Sequence, residues 1–284
     1  MAASIADPMA AGAQTLEDVE IDLLLEGMFR CFGHDFRGYR REPLRERLRT
    51  LMRDTGLATI SALQERILHD RTTRDFLLRA LSSRRSALFD DAEYFHALRT
   101  VAVPLLRSCP SPRIWIAECL SAEEVCSLAI LLAEERLYDR TQIFATAANE
   151  TVLREAKKGV FALDRLSQYA ENYRRSGGRA ELADYVDTGG GQGTFSEKIR
   201  DNVTWAQYNL ATDASFNEFQ LIVCRHALSD FDISLQRRTL QLFYDSMPLF
   251  GILSVGERTA IAGPPFVVCY KTLSAQHGLY RRVV

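Results

Sequence analysis

From Arg113 onward, short apolar runs alternate with helix-patterned stretches, and that alternation leaves few architectures open to the chain. Residues 113–117 predict a strand, 122–136 a helix, 141–146 a strand and 150–158 a helix. Residues 203–207 and 219–224 predict two further strands, 235–247 a helix, and 251–255 and 266–270 two closing strands. Strands separated by helices are the signature of βαβ units around a mostly parallel sheet. Ligands of such sheets bind beyond the carboxyl ends of the strands. The residues following Ala117, Thr146, Gln207 and Cys224 are therefore where a site is expected. Between Asp164 and Asn202 the rhythm stops; that polar stretch carries Gly177-Gly178, Gly189 to Gly191 and Gly193, and predicts an inserted subdomain. Its glycines lack the Lys-Ser/Thr of a phosphate loop, so they predict a hairpin tip.

Residues 16–98 have a different texture. Leu16, Val19, Leu23 and the Gly27 to Phe32 segment open an apolar face, and Leu44, Leu48 and Leu51, then Ile60, Leu63 and Ile67, recur at helical spacing. Pro43 suits a first turn and Gly56 a helix end, so a helix is expected over 42–55. The turn-rich Ser108-Cys-Pro-Ser-Pro112 closes a linker over 99–112, and residues 1–15 form an Ala-rich leader without the basic start or apolar core of a secretory signal. Charge is concentrated in the helical half. Residues 37–53 hold seven arginines against two acids, although the whole chain carries a net charge of only −2. Arg41, Arg45, Arg49 and Arg53 repeat every four residues and share one helix face. That face is either simply solvated or docks an acidic protein partner.

Several function classes drop out. A pI near 6.2 does not suit a nucleic-acid binder, and the longest apolar stretch, 128–133, is far short of a membrane span. Six cysteines, Cys31, Cys109, Cys119, Cys126, Cys224 and Cys269, have no CxxC spacing and predict reduced thiols in a cytoplasmic protein. His34, His69, His96 and His277 form no pair at metal-ligand spacing, so no metal is expected.

At the four strand ends the chain resembles a known family. Ile114-Trp-Ile-Ala-Glu-Cys-Leu-Ser-Ala-Glu-Glu-Val-Cys-Ser-Leu-Ala129 is similar to the first cofactor motif, approximately IWSAGCSTGEEPYSLA, of the CheR-type chemotaxis receptor methyltransferases. Residues 143–149 resemble their ILATDID, 156–161 their AxxGxY, Asn209-Leu210 their N-L, and 219–231 their FDLIFCRNVLIYF. Residues 80–91 resemble LTxNxTxFFRD, and 249–257 with Tyr270-Lys271 the closing strands. The resemblance implies an α/β, Rossmann-like class I methyltransferase domain over 113–284, with a small antiparallel subdomain inserted at 164–202, preceded by an all-helical N-terminal domain. It further implies S-adenosylmethionine as cofactor and glutamates on chemoreceptor helices as substrate, with the helical domain and the insert holding the receptor.

The resemblance weakens at the chemistry. Where the family's Arg faces the cofactor's methionine carboxylate stands Asp90; its ribose-binding Asp is Ala147, and two glycines of the first motif are Glu118 and Ala122. The Tyr beside the reacting methyl is Asp230, and the Asn of CRN is His226. Losing the arginine and ribose contacts alone costs about 3–6 kcal/mol, on the order of 10²–10⁴ in affinity. Ser86, Glu123, Glu124, Asn209, Leu210 and Arg225 remain as residual matches to cofactor-binding positions. Glu123 and Glu124 are also an ordinary acidic first helical turn, and His226 is either a general base or a structural residue. Asp90, Glu118 and Asp230, if brought together, would attract a cation. Three readings follow: an inactive or impaired homologue acting as a regulatory protein-binding module, with weak or absent cofactor binding; an active protein-glutamate methyltransferase with a rebuilt site; or a sensor of another nucleotide or metabolite.

Overall fold

The computed structural model describes residues 15–82, 86–119, 121–256, 261 and 266–284, with Ser82 as backbone only. The expected leader lies almost wholly outside the described residues. The chain divides into two compact units, Met1–Leu81 and Ser82–Val284.

In the first unit, α1 (Leu16–Phe32) starts from a capping box in which Thr15 and Asp18 satisfy each other's backbone N–H groups, and it stops at Gly33 in the left-handed conformation. It is followed by α2 (Arg41–Thr55), α3 (Ile60–His69) and α4 (Arg71–Ser82). Ile21, Leu24, Leu25 and Met28 of α1 form the core with Leu44, Leu48, Leu51, Ile60, Leu63, Ile67 and Leu77. The expected apolar face of α1 is only partly the buried one: Met28 is in the core, but its first three residues are not. Leu16, Val19 and Leu23 are exposed, because the stripe through 21, 24, 25 and 28 lies on the other side of the cylinder.

The second unit begins earlier than the sequence suggested. A continuous helical run comprises α5 (Ala92–Ala97), a π-helical turn (Leu98–Ala102) and α6 (Val103–Arg107). Its Tyr94, Phe95, Leu98, Val103 and Leu106 share one core with Ile114, Ile116 and Leu128. Residues 92–107, expected as the end of the helical domain and a linker, are therefore packed into the α/β unit.

The sheet that follows uses β1 (Arg113–Ala117), β2 (Gln142–Ala147), β6 (Val203–Gln207), β7 (Leu221–Cys224), β8 (Ile252–Val255), β9 (Tyr270–Ser274) and β10 (Leu279–Arg282). Their spatial order is β6-β2-β1-β7-β8-β10-β9. The first five are parallel and β10 runs antiparallel to both its neighbours. Helices α7 (Ala122–Glu134), α8 (Glu150–Lys158) and α10 (Ile233–Asp245) supply crossovers. This is the class I methyltransferase arrangement. The insert contains α9 (Leu166–Arg175), and the strands β3 (Val160–Phe161), β4 (Val186–Asp187) and β5 (Gly193–Phe195) form an antiparallel sheet with β5 in the middle.

The expected strand over 266–270 is instead a helical turn, α11 (Phe266–Cys269), and the strand starts at Tyr270. The β-branched Val267 and Val268 suggested extension, but the β10 ladder reaches back only to the Arg282–Tyr270 pair, and both valines face solvent. The turn joining β9 to β10 depends on Gly278, at φ 61°, where a Cβ would lie 2.0 Å from the Val255 carbonyl oxygen.

Candidate functional site

β1 is hydrogen-bonded to β2 on one side and β7 on the other, so the connections leaving it diverge and open a crevice at its carboxyl end. The backbone that frames the crevice is under strain. Glu118, directly after β1, has φ 54°, and Phe89, just ahead of α5, has φ 49°. Left-handed conformations cost a residue with a Cβ about 1–2 kcal/mol. The Phe89 turn is held by its buried N–H, which donates to Ser127 Oγ at 2.8 Å, and that hydroxyl donates to the Glu123 carbonyl at 2.6 Å.

Beside these turns lies a cavity of about 400 Å³. Phe95, Leu98, Ile116, Leu128 and Val223 make its apolar side; Ser86, Asp90, Asp91, Glu124, Arg225 and His226 bring polar groups to it. Asp91 caps α5, accepting the Tyr94 N–H at 3.0 Å, and accepts Arg225 Nη2 at 2.7 Å. The Arg225 guanidinium lies 3.7 Å above the Tyr94 ring, and the Tyr94 hydroxyl is 2.8 Å from Ser254 Oγ. Burial pushes that phenol up to about 12. Burial also works to raise the Asp91 carboxyl, but the Tyr94 N–H and Arg225 outweigh it and hold the group below the usual carboxylate range.

Asp90 is different. Burial pushes its carboxyl above the ordinary aspartate value, with Asp91 adding to the effect against the pull of Arg225 and Arg165. No ion pair joins it among the described residues.

The residual matches separate on inspection. Ser86 and Arg225 line the cavity; Glu123, Asn209 and Leu210 do not. Glu123 is buried and turned toward the insert, where it accepts Arg165 Nη1 at 3.0 Å and the Tyr169 hydroxyl at 2.7 Å. Its neighbour Glu124 is the one that reaches the cavity. Arg165 also donates to the Ser86 carbonyl, tying the cavity's edge to the insert. Asn209 forms its own turn, its Oδ1 accepting the Ala211 N–H at 2.9 Å and its N–H donating to Asp213 Oδ2 at 3.0 Å, while Leu210 is buried. Of the acidic trio only Asp90 lines the cavity; Glu118 and Asp230 are absent from its lining. Tyr94 and Arg165 carried no sequence signal, whereas Asp91 lay in plain view as the second acid of Leu88-Phe-Asp-Asp91.

The arginine stripe meets its acids at home. Arg41 pairs with Asp22, Arg45 with Asp18, Glu17 and Glu42, and Arg49 clamps Glu17 through Nε and Nη2 at 2.9 and 2.8 Å. Arg53 donates to Thr50 Oγ1 at 3.0 Å. The acidic helix facing Arg41, Arg45 and Arg49 is thus α1 of the same unit. Among the described residues no helix is long and apolar enough to cross a membrane and no group of His, Cys, Asp and Glu forms a metal site. Cys119 and Cys126, near the site, are buried thiols, and burial raises both above the usual thiol value.

Residues 84–269 match the family described as CheR methyltransferase, SAM binding domain, and residues 20–82 match its all-alpha domain. The chain belongs to the CheR methyltransferase family. A Pseudomonas putida protein described as putative methyltransferase Cher3 is 39% identical over 265 residues, which is 93% of this chain and 97% of that one. Chemotaxis protein methyltransferases of Listeria innocua and Salmonella typhimurium are 26% and 25% identical, over 83% and 85% of this chain and 87% and 84% of theirs. The cofactor of a CheR SAM-binding domain carries an α-carboxylate and a ribose. Among the described residues, the guanidinium in the cavity lining is engaged by Asp91, and Ala147, ending β2, offers no side-chain acceptor.

Proposed function

We propose that this CheR-family protein acts in signalling as a module that binds a protein partner, and that its cofactor site is altered so that methyl transfer is impaired. One observation carries the reading: Asp90, an exposed carboxylate in the cavity lining, makes no ion pair among the described residues, while Arg225 is paired with Asp91. A zwitterionic donor entering there would set its carboxylate against that of Asp90, and like charges at that distance repel. Calorimetric titration with S-adenosylmethionine and with S-adenosylhomocysteine tests this. No heat at micromolar concentrations is expected, whereas a micromolar Kd for either would overturn it. Asp90→Arg should raise affinity for S-adenosylmethionine by about 10- to 100-fold, the weight of one charge-assisted hydrogen bond and the removal of a repulsion.

A second reading, an active S-adenosylmethionine-dependent protein-glutamate methyltransferase with a rebuilt site, is supported by the strained turns at Phe89 and Glu118 and by Glu124 and Arg225 in the cavity lining. Labelled methyl transfer to receptor protein, abolished by Glu124→Ala, would establish it over the first.

A further inference from the structure

One wall of the cofactor cavity is a strap. Residues 86–90 bring Ser86, Ala87 and Asp90 to the lining, and they do so through Phe89, fully buried and in the left-handed conformation at φ 49°. A residue other than glycine stays in that conformation only where its surroundings over-determine it. The strap closes on itself with one bond, from the Asp90 N–H to the Ala87 carbonyl at 3.2 Å. Helix α7 adds Ser127, which accepts the Phe89 N–H. The insert adds more. Arg165, at the head of α9, donates Nη2 to the Ser86 carbonyl, and Asn172 donates Nδ2 to the Leu88 carbonyl at 3.1 Å. The Tyr173 ring lies beside that of Phe89, with centroids 5.5 Å apart.

Arg165 and Asn172 are seven residues apart in sequence, about two helical turns, so they reach the strap from one face of α9. Hydrogen bonds of this kind are lost once stretched by about half an ångström, and a small shift of α9 therefore breaks both together. α9 is itself braced against α7. Arg165 and Tyr169 donate to Glu123 in the first turn of α7, while Glu134, in its last turn, accepts the Tyr173 hydroxyl and the Arg179 N–H. The strap and the insert are thus held to one helix and to each other, with backbone strain stored at Phe89.

We propose that the insert controls the cavity wall: α9 clamps the 86–90 strap in its strained turn, and a shift of α9 releases Phe89 from that turn and with it the wall that carries Asp90. A protein partner held on the insert would in this way alter the cavity without entering it. The clamp rests on the contacts of α9 and stands whether or not S-adenosylmethionine binds. Hydrogen exchange of the full chain, read by mass spectrometry over residues 86–91, tests it, with β1 at 113–117 as internal reference. Asn172→Ala removes one grip and leaves the Arg165–Glu123 pair in place, and Asn172→Asp keeps the size while removing the donor. Exchange over 86–91 should rise by at least about tenfold in both, with 113–117 changed by less than about twofold. Arg165→Met, combined with Glu123→Gln so that no buried charge is stranded, should have the same effect. A change below about twofold over 86–91 in both Asn172 variants would overturn the clamp. So would an equal rise over 113–117, which would make α9 a general brace of the unit rather than a hold on the strap.

Discussion

At position 118 a glutamate holds φ at 54°, a conformation that suits glycine, at the point where β1 delivers the chain to the cofactor cavity. Sterics alone price this at about 1–2 kcal/mol for a residue with a Cβ, while a glycine there would return about 0.4–1 kcal/mol to the unfolded chain as entropy. Glu118→Gly should therefore stabilise the protein by roughly 0.5–1 kcal/mol, seen as a higher urea midpoint with an unchanged m-value. A loss of stability would show that Glu118 makes a contact worth more than the strain. The sequence displayed this residue as a departure from the family's glycine, and the backbone has not followed the side chain. What the sequence could not display was which of two adjacent acids faces the cavity. Glu123 and Glu124 differ by one helical step of about 100°, and only the position of Arg165 and Tyr169 decides that Glu123 turns to the insert.

Between α1 and α2 the arginine stripe and the acids of Glu17, Asp18 and Asp22 form a ladder of mostly half-buried pairs. The Asp18 carboxyl is held below the usual aspartate value first by Thr15, through hydroxyl and backbone N–H, and then by Arg45. A folded-state value below the unfolded one contributes stability above the unfolded range and loses it as pH falls through the folded value. Thr15→Ala should accordingly narrow the stability difference between pH 7 and pH 3, measured by denaturant unfolding at each pH. An unchanged difference would show that the Thr15 contact does not set the carboxyl. Each half of this ladder was visible in the sequence, but the pairs span 19 to 32 residues. Helix periodicity says which residues share a face and is silent on which helix the face meets, so the stripe read as either a solvated face or a docking surface. The central strands β1, β7 and β8 were legible because they are buried almost end to end and nearly all apolar. The 266–269 turn misled for the complementary reason: strand-like residues whose neighbouring strand stops short.

Across the second unit, one buried ionic cluster ties together parts that the sequence listed as separate. Arg99, in the π-helical turn, reaches Glu134 and Glu135 at the end of α7 and the Ser176 carbonyl after α9 at 3.2 Å. Glu134 also accepts the Tyr173 hydroxyl and, at 2.8 Å, the Arg179 N–H of the insert. Arg99, Glu134 and Glu135 have side chains at most 5% exposed. Removing one member of such a group leaves buried charge uncompensated, at about 3–5 kcal/mol. Arg99→Met should cost that much in urea unfolding, and a change below 1 kcal/mol would show that the acids relax to water instead. The sheet carries a final consequence, for synthesis. β10 lies between β8 and β9, so β9 leaves the ribosome before the strand that must join it to the sheet exists. Until residues 279–282 have emerged, the nascent unit holds β8 with one open edge and β9 with no partner. A chaperone would meet the nascent protein in that state, and a truncation ahead of Leu279 would make it permanent.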